Sequence, residues 1–315
     1  PGFTTHYLFG IDACRRLTST SMHNMIRRDH SAYALGLQGL ILFLLSSLLL
    51  MHRKNIGDWH IQGYWPVFAN LLQSRKLFAG KKHSLSIADA YICGFMGHYT
   101  LDCTIHPYVY AFTGYNAQTP PSNTEYFGQH AYFETELDSE LLYEKSICIL
   151  PSFIERNDSS DDAPAESHCA NAVLRIPETY PDISVSEFFL SGAPFWMKLG
   201  THLLNDPSGQ KKVLSRLIEK IFLGRAFLSP MVASDYYRFI KDPMNLHHRV
   251  WIHPWTKKSS TASFPELYDQ AEKIYHQRLV QYAHLQHSGF PQKETARFLS
   301  AYGNLSFLSG LPCDE

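Results

Sequence analysis

The chain has 315 residues, 45% hydrophobic and 18% charged, which excludes a disordered protein and leaves room for one large domain or a core with a helical extension. A formal net charge of −1 gives no electrostatic case for a polyanionic partner, so no nucleic acid is expected. The cysteines at Cys14, Cys93, Cys103, Cys148, Cys169 and Cys313 form no C-x-x-C pair and are too sparse for a disulfide scaffold, so reduced, mostly buried thiols are expected.

In chain order, the opening PGFTTHYLFG shows no cleavable leader, so the chain is expected either to be cytoplasmic or membrane-associated or to have had its leader removed already. Residues 31–51 carry no charge, and Arg53 and Lys54 follow. That length suits a bilayer span, but Gly36, Gln38, Gly39, Ser46 and Ser47 within it suit a wholly buried helix, the preferred reading. Residues 84–106 predict a helix in which Ile87, Tyr91, Phe95 and Tyr99 recur every fourth position and which Pro107 stops. A second helix is expected over 127–142, and the polar run 155–167 (ERNDSSDDAPAES) reads as an exposed connection. Farther on, 211–227 gathers Val213, Leu214, Leu217, Ile218, Ile221 and Phe222 on one helical face. Ser263 and Glu266 form a capping box ahead of a helix reaching about Leu285. No run alternates at period two, and the FLSG at Phe189 and Phe307 is not a repeat. The expected fold is all-α: a metal core over 1–150, a polar connection over 151–172, and a helical region over 173–315 packed on the core.

The chemistry concentrates in two groupings. In GHYTLDCTIHP, His98, Asp102 and His106 stand four residues apart, a step of about 40° around a helix, so their side chains share a face. In QHAYFE, His130 and Glu134 repeat the spacing. Imidazole nitrogen and carboxylate oxygen together suit zinc, and a cation removes the cost of a buried carboxylate. His6 and His60 stand alone. The cluster LHHRVWIHPW holds His247, His248 and His253, for which a packed loop is the expectation. No serine-hydrolase elbow, phosphate-loop or dinucleotide glycine motif occurs.

HYLFGIDA, GLQG, HRKNIGD, AYICGFMGHYTLDCTIHPYVY and HAYFETELD, in that order, resemble the bacterial zinc-dependent phospholipase C family. The likeness covers about residues 1–140, and GHYTLDCTIHPY is its most specific part; MNLHHRVWIHPW and SFPELYDQA add a weaker match. The resemblance implies an all-helical fold, up to three zinc ions, and a phospholipid or other phosphodiester substrate, with peripheral membrane contact as a possibility. It further implies that His60, His98 and Asp102 hold one ion, that Asp102 bridges to a second held also by His6, and that His106, His130 and Glu134 hold the third.

One departure bears on catalysis. Where the family carries a Gly-Pro-Asp step whose aspartate is the candidate base, this chain reads Gly39-Leu40-Ile41, and Asp58, close in sequence to His60 but on a different part of the loop, is the candidate substitute. Two functions therefore stand: a phospholipase C-like hydrolase, and a catalytically impaired, metal-stabilised helical protein that binds lipid or protein. A small membrane-anchored protein using residues 31–51 stands beside these two as a further reading.

Overall fold

The computed structural model describes residues 1–39, 65–118, 124–145, 206, 210–222, 229, 232, 240–302 and 304–313. Asp58, His60, Leu40, Ile41, the 155–167 connection and the later part of the 31–51 stretch lie outside them. The described elements are helical: α1 (Phe3–Arg15), α2 (Thr20–Arg28), α3 (His30–Leu37), α4 (Trp65–Ser74), a 3₁₀ turn (Arg75–Phe78), α5 (Lys82–Phe112), α6 (Thr124–Glu144), α7 (Gln210–Phe222), α8 (Phe264–Ser288) and α9 (Gln292–Tyr302). One two-residue hairpin, β1 (Trp251–Ile252) with β2 (Ser259–Ser260), is the exception to the all-α expectation. Among the described residues no helix is long and apolar enough to cross a membrane.

The chain divides into two compact units, and the division falls within α1, α5 and α8. One comprises His6–Cys103, Asn157–Met197 and Ala271–Glu315. Its core follows the four-residue repeat: Ile87, Tyr91, Phe95 and Tyr99 are all buried. The close crossing of α3 and α5 depends on two glycines. A Cβ on Gly36 would lie 2.2 Å from the Tyr91 carbonyl oxygen, and one on Gly94 would lie 2.1 Å from that of Tyr33. Buried tyrosines then tie the helices through their polar ends: the Tyr33 hydroxyl donates to the Gly10 carbonyl at 3.0 Å, and that of Tyr275 donates to the Cys93 carbonyl at 2.7 Å. The buried Asp89 accepts from Arg75 Nε and from the Tyr282 hydroxyl, both at 2.6 Å, so its charge is matched where it is desolvated.

The other unit comprises Pro1–Thr5, Thr104–Arg156 and Lys198–Gln270. Pro107 does not stop α5; the helix carries it internally and continues to Phe112. An interior proline costs about 3 kcal/mol. Packing beyond it offsets that cost: Tyr108 and Val109 are fully buried, and the Tyr108 hydroxyl donates to the Pro243 carbonyl at 2.5 Å. The α8 capping box forms as its residues predict, with Ser263 N–H donating to Glu266 Oε2 at 2.8 Å and Glu266 N–H to Ser263 Oγ at 3.4 Å.

Helix α7 carries the apolar face its residues predict, but turns that face outward. Val213, Leu214, Leu217, Ile218 and Ile221 are exposed, while Lys212 and Glu219 are buried. The inward polar groups have matched surroundings: Lys212 Nζ lies 5.1 Å from the Tyr132 ring, and the Glu219 carboxylate accepts from Ser229 N–H at 2.9 Å and Ser229 Oγ at 2.5 Å.

Candidate metal centres

Six of the sequence-selected ligands fall into two groups of three. His6, His98 and Asp102 form one, and His106, His130 and Glu134 the other; within each, one ligand atom per residue lies within 4.8 Å of the other two. The four-residue run on α5 is thus shared out, His98 and Asp102 to the first group and His106 to the second.

The first group is buried throughout. Asp102 Oδ1 is 3.2 Å from His6 Nε2, and Asp102 Oδ2 is 3.2 Å from His98 Nε2, so each carboxylate oxygen faces a different imidazole. The two rings are close, with centroids 4.3 Å apart. His98 Nδ1 lies 3.1 Å from the Leu37 carbonyl, which can only accept, so Nδ1 carries the proton. In the neutral ring Nε2 is then a lone pair aimed at a carboxylate oxygen, and two acceptors at that distance require a cation or a proton between them. A carbonyl that fixes the tautomer in this way is the usual outer support of a metal-ligating histidine. His6, fully buried, makes no hydrogen bond of acceptable geometry from either ring nitrogen among the described residues. Such a buried polar atom costs about 1–3 kcal/mol unless something satisfies it, and a divalent cation would.

Gly39 makes room for this arrangement. Its φ is +53°, and a Cβ there would lie 2.0 Å from His98 Cδ2. Three residues of the GLQG motif act here. Gly36 lets α3 approach α5, the Leu37 carbonyl orients His98, and Gly39 leaves space for its ring.

The second group centres on Glu134 Oε1, which lies 3.0 Å from His130 Nε2 and 3.4 Å from His106 Nε2. The Pro1 nitrogen lies 2.9 Å from the same oxygen. Burial acts to raise the Glu134 pKa, but electrostatic attraction to the Pro1 nitrogen and to His130, with hydrogen bonds from His106 and His130, holds the carboxyl well below the ordinary value. The Tyr110 ring flanks both histidines, at 5.9 Å from His106 and 4.8 Å from His130.

One turn farther along α6, Asp138 was missed by sequence reading. Its carboxylate accepts from Thr4 N–H at 3.1 Å, Thr5 N–H at 3.0 Å and Thr5 Oγ1 at 2.6 Å. It thereby satisfies first-turn donors of α1 that no intrahelical carbonyl reaches. A Cβ on Gly2 would lie 2.4 Å from Asp138 Oδ2, so a side chain there would have to displace the carboxylate. Burial raises the Asp138 pKa against the lowering effect of the Thr5 and Thr4 hydrogen bonds. A carboxylate four residues after Glu134, on the same helical face, was the available signal.

His247, His248 and His253 do not join either group. His247 Nδ1 lies 3.0 Å from Asp242 Oδ2, His248 Nδ1 donates to the Thr261 carbonyl at 3.0 Å, and His253 Nδ1 accepts from Thr256 N–H at 3.2 Å. These contacts tie the loop around the hairpin, but His247 and His248 are exposed, so this part of the loop is not the packed one expected. Asp58 and His60, the expected base and the remaining ligand, lie outside the described residues.

Comparison with known proteins found no matching family model, no similar curated protein and no similar solved structure.

Proposed function

We propose that both groups bind divalent cations, zinc first among them, and that the protein is a metal-dependent phosphodiester hydrolase of the phospholipase C kind. The observation that carries the metal reading is the first group: a carboxylate whose two oxygens each face an imidazole nitrogen, one histidine fixed in the tautomer that frees that nitrogen, and the other buried without a hydrogen bond among the described residues. The donor set, two histidines and a carboxylate in each group, suits zinc in its open, catalytic coordination. The ordered motifs shared with the phospholipase C family support the phosphodiester substrate.

Bound cations would neutralise the phosphodiester and lower the pKa of water. The chain's own contribution is positional. Asp102, with one oxygen toward each imidazole, suits a bridging role; Leu37 holds the His98 ring; Asp138 fixes the start of α1, the helix that carries His6. Asp58 is the carboxylate proposed to assist the water. A second reading, a metal-stabilised binding protein without turnover, is favoured by Ile41 where the family has its aspartate.

The test is zinc stoichiometry of the purified protein beside turnover of a chromogenic phosphodiester. Wild type should hold zinc and hydrolyse the substrate. Asp102→Ala should lose both, and should lose more zinc than His60→Ala because a bridging carboxylate serves two ions. Zinc without turnover would select the second reading, and equal zinc in wild type and Asp102→Ala would sink the metal assignment.

A further inference from the structure

Helix α7 is turned inside out. Its 13 residues expose Val213 (50%), Leu214 (57%), Leu217 (54%), Ile218 (46%) and Ile221 (66%), and bury Lys212 and Glu219 at 4% each. At about 100° per residue, the five apolar side chains occupy one arc of about 140°, with Lys212 and Glu219 on the opposite side. The exposed basic residues fall on the margins of that arc, Lys211 at one edge, Lys220 and Arg216 at the other. Glu219 is the helix's single acid and is turned inward onto Ser229.

We propose that α7 is a docking surface for a membrane carrying anionic phospholipid, with its apolar arc in the acyl boundary and Lys211, Arg216 and Lys220 at the headgroups. An apolar face bordered on both sides by lysine and arginine is the pattern of a helix that lies in the interface plane, its long basic side chains reaching outward to phosphate. At about 20 Å the helix is too short to cross a hydrocarbon core of about 30 Å, so lying flat is the geometry open to it. Charge argues against a second copy as occupant: pairing this face with itself sets basic margins against basic margins, with no exposed acid on the helix to relieve them. The buried side of α7 also has a defined neighbour. Lys212 lies over the Tyr132 ring of α6, the helix that carries His130 and Glu134. The proposal concerns a partner and stands apart from the metal reading, so either can fail alone.

The experiment is co-sedimentation of the full chain with phosphatidylcholine vesicles, with and without phosphatidylglycerol, at two ionic strengths. Binding should require phosphatidylglycerol and weaken with salt. Lys211→Gln/Arg216→Gln/Lys220→Gln should bind on the order of a hundredfold more weakly, at about fivefold per basic residue near the surface. Leu217→Ser/Ile221→Ser should also abolish sedimentation. Both variants change exposed side chains, so circular dichroism and zinc content should match wild type. Sedimentation equal to wild type in both variants would overturn the proposal. So would absence of binding to either vesicle, or a wild-type dimer by light scattering that Leu217→Ser/Ile221→Ser converts to monomer.

Discussion

At the scale of single residues, the centre depends on atoms that carry no chemistry of their own. Gly39 has a left-handed φ and stands where any Cβ would occupy the His98 ring. Gly39→Ala should therefore lower zinc content much as His98→Ala does, while helical content is retained; zinc binding at the wild-type level in Gly39→Ala would show that His98 does not need this space. The thiols make a second case. Burial raises the Cys14 pKa to about 11 and that of Cys103 to about 12, against opposing effects of the Tyr33 hydrogen bond at Cys14 and of Arg278 at Cys103. At pH 8 a thiol with pKa near 11 is about one part in a thousand thiolate, and the thiolate is the reactive form. Alkylation followed by peptide mass spectrometry should leave Cys14, Cys93 and Cys103 unmodified in the folded protein and label them in urea. Cys93 is buried and Cys14 and Cys103 are partly exposed, so fast labelling of the native protein at these positions would contradict the raised pKa values rather than a lack of access.

At the scale of elements, close approach and exposure are decided by different residues. The α3–α5 crossing has no space for a methyl group, and the obstacles are backbone atoms, which cannot swing aside. Gly94→Ala should destabilise the protein by about 1–3 kcal/mol or more, the cost of overpacking a fixed contact. Urea unfolding reads this as a lowered midpoint at unchanged slope, and an unchanged midpoint would mean that the helices separate freely. Helix α7 shows the converse. Its apolar periodicity is as regular as that of α5, yet one stripe faces out and the other in. Periodicity identifies a face; the partners available to Lys212 and Glu219 decide which way it turns.

At the scale of the whole molecule, metal binding and folding are one equilibrium if the ligands come together only in the folded chain. His6 belongs to α1, His98 and Asp102 to α5, and His130 and Glu134 to α6. Ligands so far apart in sequence form no preformed site in the unfolded chain. Chelation should lower the thermal midpoint, and zinc should restore it; free zinc at a thousand times its Kd would contribute about 4 kcal/mol per site. Acidification should release the metal, because imidazole must be deprotonated to bind. Calorimetry with and without chelator makes the check, and a midpoint indifferent to both chelator and added zinc would exclude a structural role for metal.

The helical class, the capping box at Ser263 and Glu266, the buried stripe of α5 and the four-residue ligand spacings on α5 and on α6 were legible in the residues alone. Each depends on spacing along one chain segment, which 3.6-residue geometry converts directly into a shared face. What joins one segment to another was not legible. That His6 meets Asp102, that the Leu37 carbonyl sets the tautomer of His98, that Asp138 caps α1, and that α5 passes through Pro107 are all consequences of packing between elements distant in sequence. The orientation of α7 belongs with them. An amphipathic pattern has the same form whether its apolar side meets a core or faces outward, and only the tertiary surroundings of its polar residues choose between the two.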